Sequence, residues 1–166
     1  MKLNLNLQLF AETMEGKDAI SGSMAKCFIT IENNRYNFMN AIKIEAKVDK
    51  TKTKVPILGK TGKGNKATGW EGTGSATFHF NNSVLRTYLE RYARTGEDFY
   101  FDMQLVNGDP TSQVGKQTIV LIGCNIDGAV LAKFDADADY LEEDMDFTFE
   151  DYKMPDAFTN LPGMVL

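Results

Sequence analysis

Histidine is almost absent from this chain: His79 is the only one in 166 residues. It falls on the polar side of a strand-like run, between Phe78 and Phe80, with no neighbouring serine or cysteine to activate. A catalytic triad therefore lacks a local nucleophile, and an imidazole-built metal centre lacks a second histidine. Cysteine is scarce as well. Cys27 and Cys124 form no CxxC pair, and each lies in an apolar run, which predicts two buried, reduced thiols. No apolar stretch reaches about 18 residues, the length a membrane-spanning helix needs. Near the start, Leu3, Leu5, Leu7 and Leu9 alternate with Asn4, Asn6 and Gln8, so the continuous apolar core of a secretory signal is missing.

Charge is unevenly spread. The net charge is −5, yet residues 1–134 carry 17 Lys/Arg against 13 Asp/Glu, and residues 135–166 carry one Lys against ten acids. That asymmetry suits pairing between copies and argues against a duplex-DNA binder, whose basic face would dominate. Gly59-Lys60-Thr61 approaches the end of a phosphate-binding loop, but Lys54 stands where its first glycine belongs and no strand-to-helix switch follows. Asp135, Asp137 and Asp139 take the first, third and fifth places of a calcium loop, while Tyr140 replaces its glycine and Asp146 its terminal glutamate. Glu142-Glu143-Asp144 crowds carboxylates into one solvated run, unlike an acid and a base held apart in an apolar cleft. No catalytic, cofactor or metal residue is assigned, and an enzyme is not expected.

What the chain does have is strand pattern. Strands are predicted over residues 26–32, 39–49, 72–80, 99–106, 116–124, 129–134 and 145–152. Asn33-Asn34-Arg35, Asn107-Gly108-Asp109-Pro110 and Asp127-Gly128 supply turns. The clearest strand puts Ile42, Ile44, Ala46 and Val48 on one face and Lys43, Glu45, Lys47 and Asp49 on the other. One helix is predicted over 83–95, with Leu85, Tyr88, Leu89 and Tyr92 as its apolar stripe, Arg86–Glu90 and Glu90–Arg94 pairs, and Gly96 as its stop. Between the second and third strands, residues 50–72 hold six lysines, five glycines and no acid before Glu71. A loop that long without its own core is functional or disordered. Val55, Pro56, Ile57, Leu58 and Trp70 are its only anchors, so it reads as a cationic arm for contacts with another protein chain. The fold class is mainly β, a sandwich or half-barrel of antiparallel strands with one α-helix. Residues 1–17 form a flexible or leader-like extension, 18–158 one domain, and 159–166 a tail.

Several of these stretches share order and spacing with a known family. Ala19-Ile20-Ser21-Gly22, the charged strand over 40–49, the run from Ile57 through Gly69, Gly72-Thr73-Gly74-Ser75-Ala76-Thr77-Phe78, and Phe147-Thr148-Phe149-Glu150-Asp151-Tyr152 resemble the PBSX-like phage tail tube proteins. The resemblance spans residues 18–158. It implies a structural subunit of a phage or phage-derived tail, which assembles into stacked hexameric rings around a channel for DNA. Sheath, tape measure, baseplate and terminator proteins are the implied partners, with no cofactor and no membrane. The implied location is the virion tail, assembled in the host bacterial cytoplasm. The expected inter-subunit arm comprises Lys50, Lys52, Lys54, Ile57, Leu58, Lys60, Lys63, Lys66 and Trp70. The expected lumen-facing residues are Lys43, Glu45, Lys47, Asp49, Asp137, Asp139, Glu142 and Asp144, because a bore for DNA should not hold phosphate. The alternatives are another tail ring component, such as a terminator or baseplate hub, and a metal-binding β module.

Overall fold

The computed structural model describes residues 13–164, so residues 1–12 of the extension expected over 1–17 and the last two residues of the tail lie outside them. The strands are β1 Lys26–Ile31, β2 Asn34–Asn37, β3 Ala41–Val55, β4 Gly64–His79, β5 Phe101–Gly108, β6 Lys116–Ile126, β7 Glu142–Phe149 and β8 Asp151–Asp156. The helix α1, Val84–Thr95, lies between β4 and β5. Every pairing is antiparallel, in the order β2-β1-β5-β6-β7-β4-β3, with β8 also on β6.

The sheet turns a corner at β6. Its first part pairs with β5 and β8, whereas Asn125 and Ile126 pair with β7. Gly123 makes the turn possible: its φ is +64°, its N–H reaches Asp102 Oδ1 at 3.1 Å, and a Cβ there would press on the Glu150 side chain. The facing chain bends at the same level, where Glu150 separates β7 from β8 and its N–H bonds Ile122 O. A bulge of this kind re-aims a strand by one extra residue. One layer is thus β2-β1-β5-β6-β8 and the other β3-β4-β7. Ile29, Ile31, Met103, Leu121, Cys124 and Phe147 are fully buried between them.

Alternation places Met145, Phe147 and Phe149 of β7 opposite Ala76, Gly74 and Gly72 of β4. The two phenylalanine rings lie directly across the glycines; a Cβ on Gly72 or Gly74 would stand 2.4 or 2.3 Å from them. The Gly-Thr-Gly-Ser-Ala run is therefore a packing surface. The helix sets Leu85 into the core, with Val84 and Tyr88 against it, and Gly96 ends it at φ +75° with its N–H on Tyr92 O.

Several expectations are corrected. Residues 50–72 are not a loop: β3 and β4 stay paired from Lys50↔Trp70 to Val55↔Gly64, and only 56–63 turn. The alternation of threonine and lysine, which masks strand propensity with charge, supports a two-stranded ribbon. Ile42 leaves the apolar face through a bulge between Ala41 and Lys43, so Ala41 takes its place opposite Phe78. The first hairpin turns at Glu32 and Asn33, φ +48° and +68°, one residue earlier than expected. Residues 129–134 form no strand, because the Asp127 N–H bonds Asp146 O and carries the chain past the sheet instead of back along it. The end of the extension is tied down where it meets the domain. Gly16–Asp18 is a 3₁₀ turn, Asp18 is buried, and it accepts bonds from Ser112 Oγ and the Gln113 N–H.

Candidate assembly surfaces

The alternation that buries one side of β3, β4 and β7 gathers charge on the other. Register puts Lys43, Thr77 and Asp144 in one row and Glu45, Ser75 and Asp146 in the next. Lys47 with Thr73, and Asp49 with Glu71, continue the face, and Glu142 opposite His79 begins it. Lys43 pairs with Glu45 at 3.7 Å and Lys47 with Asp49 at 3.3 Å, while Asp144 accepts from Thr77 Oγ1 at 2.7 Å. The two lysines stand among six carboxylates on this face. Six of the eight residues expected to share a surface do so. Asp137 and Asp139 do not: they lie on the 127–141 connection, off the sheet. Glu71 and Asp146 belong to the face although motif reasoning passed over them; counting by twos from Thr73 and Asp144 finds both.

Beyond the sandwich the sheet continues as the ribbon. β3 has no partner on its outer edge among the described residues, and it is 15 residues long. A strand edge of that length is a template for pairing with another chain. The core-side face of β3 is also partly uncovered, with Val48 38% exposed, and Ile42, ejected by the bulge, is 46% exposed. At the turn, Leu58 is wholly exposed and Ile57 partly so, between Lys54 and Lys60. None of Lys50, Lys52, Lys54, Lys60, Lys63 or Lys66 forms an ion pair among the described residues. Trp70 belongs to the base of the ribbon and not to its tip. It is 44% exposed and packs against Phe149 and Tyr152, at centroid distances of 6.4 and 6.0 Å.

The opposite end of the same three strands carries the 127–141 connection. Arg86 of α1 holds it: Nη1 donates to Glu143 Oε2 and to Val130 O, Nη2 to Asn82 O, and the guanidinium lies 4.1 Å over Phe80. The expected Arg86–Glu90 pair is thereby displaced, because the partly buried carboxylate of Glu143 is the better partner; the Glu90–Arg94 pair forms as expected. Lys133 Nζ bonds Glu142 O. Leu131, Phe134 and Tyr140 are left exposed, with Tyr140 edge-on to His79. Among the described residues no three His, Cys, Asp or Glu side chains are grouped to hold a metal ion, and the Asp135 carboxylate accepts the Asp137 N–H.

A sandwich with one long ribbon, a charged outer sheet face and a strand edge unpaired among the described residues is a scaffold for assembly. The comparisons give its class, the tail tube-like structural proteins. The model of the family described as "Phage tail tube protein" matches residues 12–156. The phage-like element PBSX protein XkdM of Bacillus subtilis (strain 168) is 36% identical over 148 residues, covering 89% of this chain and 97% of the relative. The chain belongs to the phage tail tube protein family. Among solved structures, a chain of the anti-feeding prophage baseplate has the same fold at a TM-score of 0.61 and 13% identity, covering 86% of this chain and 97% of that one. The SPP1 tail tube matches at 0.58 and 11%, covering 82% and 78%. The family makes the protein a structural component of a phage tail.

Proposed function

We propose that this chain is the tail tube subunit itself, closing in hexameric rings that stack into a channel for DNA. The observation that carries the reading is the sheet β3-β4-β7, with a 15-residue edge unpaired among the described residues on one side and a carboxylate-rich face away from the core. Edge pairing between copies would remove the exposed strand and curve the three-stranded sheets into a common barrel. The face of Lys43, Glu45, Lys47, Asp49, Glu142 and Asp144 then lines the bore, with Asp137 and Asp139 near its mouth. A net negative wall does not hold phosphate, so DNA slides past it without binding. The ribbon, from Lys50 to the base at Trp70, is the inter-subunit arm. Its chemistry is purely mechanical: no catalytic residue is assigned, and assembly takes place in the host cytoplasm, with tape measure, terminator and baseplate proteins as further partners and a sheath where the tail contracts.

A second reading, a baseplate or terminator ring, is favoured by the shared fold of the anti-feeding prophage baseplate chain. Size-exclusion chromatography followed by negative-stain microscopy separates the two. A tube subunit gives six-fold rings that lengthen into hollow tubes with concentration; a ring component stops at one ring. A monomer at every concentration would sink both.

A further inference from the structure

The strand β3 overhangs the layer that faces it. Alternation turns Ile44, Ala46 and Val48 toward the core, yet Ile44 is only half-buried and Ala46 and Val48 are exposed. Beside the start of β3 runs a groove of about 680 Å³, with Met39, Ile42, Ile44 and Leu105 among its walls. Met39 is 84% exposed. Lys26 and Lys43 are the only charged residues that line the groove, so its contacts are mostly apolar. Along it, the outer edge of β3 offers backbone N–H and C=O groups that have no partner among the described residues. Groove and edge together fit a strand with one apolar face and one uncharged polar face.

Residues 3–9 carry that pattern. Leu3, Leu5, Leu7 and Leu9 alternate with Asn4, Asn6 and Gln8, and no charge falls between Lys2 and Glu12. The family match starts at residue 12, so this stretch adds to the shared domain. Four leucines at period two cover about 20 Å of strand, the distance from Ile42 to Val48 along β3. The linker that follows leads to the groove itself. Asp18 is held by Ser112 and Gln113, and the Ser21 N–H donates to Asp109 Oδ2 at 3.2 Å. Gly22, Ser23 and Ala25 then form one wall of the groove. A strand tethered to the wall of its own groove is held there at high effective concentration.

We infer that residues 3–9 add to the outer edge of β3 in their own chain, with the four leucines turned into the groove and toward Ile44, Ala46 and Val48. Asn4, Asn6 and Gln8 then join the charged face without adding charge to it. Main-chain bonds supply the affinity of such strand addition, and the alternating side chains fix its register. Its consequence rests on the ring reading above: the segment and a neighbouring subunit compete for one edge. The free subunit is thereby capped against uncontrolled edge-to-edge pairing, and ring closure displaces the cap.

The test compares the full chain with one lacking residues 2–11, both held below the concentration at which rings form. The shortened chain keeps the whole matched domain, so its circular dichroism and thermal transition should be unchanged. Amides of β3 between residues 41 and 48 should exchange at least about tenfold faster in it, because a cap in place nine-tenths of the time slows exchange by that factor. Ile42→Cys reports on the groove: the native thiols are buried, and a maleimide should label position 42 faster once the segment is gone. Leu5→Asp with Leu7→Asp should reproduce both effects, and Asn4→Ser with Asn6→Ser neither. The shortened chain should also form rings at a lower concentration than the full chain. Equal exchange and equal labelling in the two chains overturn the strand addition. Protection of β3 that appears only as concentration rises overturns it too, and assigns the edge to a second copy. A full chain that shows the protection yet never forms rings sinks the ring reading and leaves the strand addition standing.

Discussion

Gly72 and Gly74 show how single atoms shape this sheet. Phe147 and Phe149 fill the space where their side chains would be, and the Glu45 carbonyl lies 2.8 Å from a Cβ on Gly74. Gly74→Ala therefore forces a ring and a backbone strand apart, and overpacking of this kind costs about 1–3 kcal/mol. Chemical denaturation should show that loss, with Gly69→Ala, whose Cβ meets nothing within 4 Å, as the control. The thiols give a second residue-scale expectation. Burial pushes both Cys27 and Cys124 up to about 12, because the thiolate cannot be solvated in the core. Both should resist alkylation at pH 8 until the chain unfolds. The sign of the linkage follows: as pH rises above the ordinary thiol value, the unfolded chain releases protons that the folded chain retains, so stability falls toward pH 12. An unfolding midpoint that is flat across that range would contradict the burial. Both thiols were legible in the sequence from their apolar neighbours alone.

At the scale of elements, Arg86 is the link between α1, the 127–141 connection and β7. The Arg86 and Glu143 side chains are 13% and 12% exposed, and removing one partner strands the other's charge. Breaking such a pair costs about 3–5 kcal/mol. Glu143→Gln should lower stability by an amount in that range and raise amide exchange across residues 127–141, while Glu90→Gln, which loses an exposed pair with Arg94, should do neither. The sequence pointed to the wrong partner for Arg86 because helical spacing is visible locally, whereas Glu143 is 57 positions away and is brought near only by the sheet register. The same reason explains β3. Period-two alternation correctly separated Lys43, Glu45, Lys47 and Asp49 from the apolar face, but nothing local reports the bulge that ejects Ile42. Lysine and glycine content made residues 50–72 look like a loop, since neither favours strands; pairing between Thr51–Val55 and its mate overrides that weak preference.

At the scale of the whole molecule, charge segregation along the chain becomes charge segregation in space only through topology. The basic stretch ends up as the ribbon, and the acidic stretch divides: Glu142, Asp144 and Asp146 join the sheet face while Asp135, Asp137 and Asp139 remain on the connection. The sequence alone grouped Asp137 and Asp139 with Glu142 and Asp144 as lumen-facing because it could not show where β7 begins. The ribbon itself makes a further prediction. Deleting residues 51–67 leaves Thr68-Gly69 as a two-residue turn between Lys50 and Trp70, which are already paired. The shortened chain should keep its core and its thermal transition but form no tubes. Loss of the folded state would mean that the ribbon is part of the core.

The bore assignment is open to a direct measurement on assembled tubes. Ser75 lies in the middle of the charged face, exposed, between Glu45 and Asp146 in register. Arg94, in the last turn of α1, is exposed and lies on a different surface. With Ser75→Cys, a small thiol reagent diffuses along the tube and labels the new thiol, but a reagent carrying a large polymer is excluded from the lumen. With Arg94→Cys, which on this reading faces away from the bore, both reagents should react. The native thiols stay silent because they are buried. The expected pattern is therefore size-selective labelling at position 75 and unselective labelling at position 94, with the selectivity lost when tubes are dissociated into free subunits. Equal labelling of position 75 by both reagents in intact tubes would place the carboxylate face outside, and the repulsion of phosphate could no longer explain why that face is acidic.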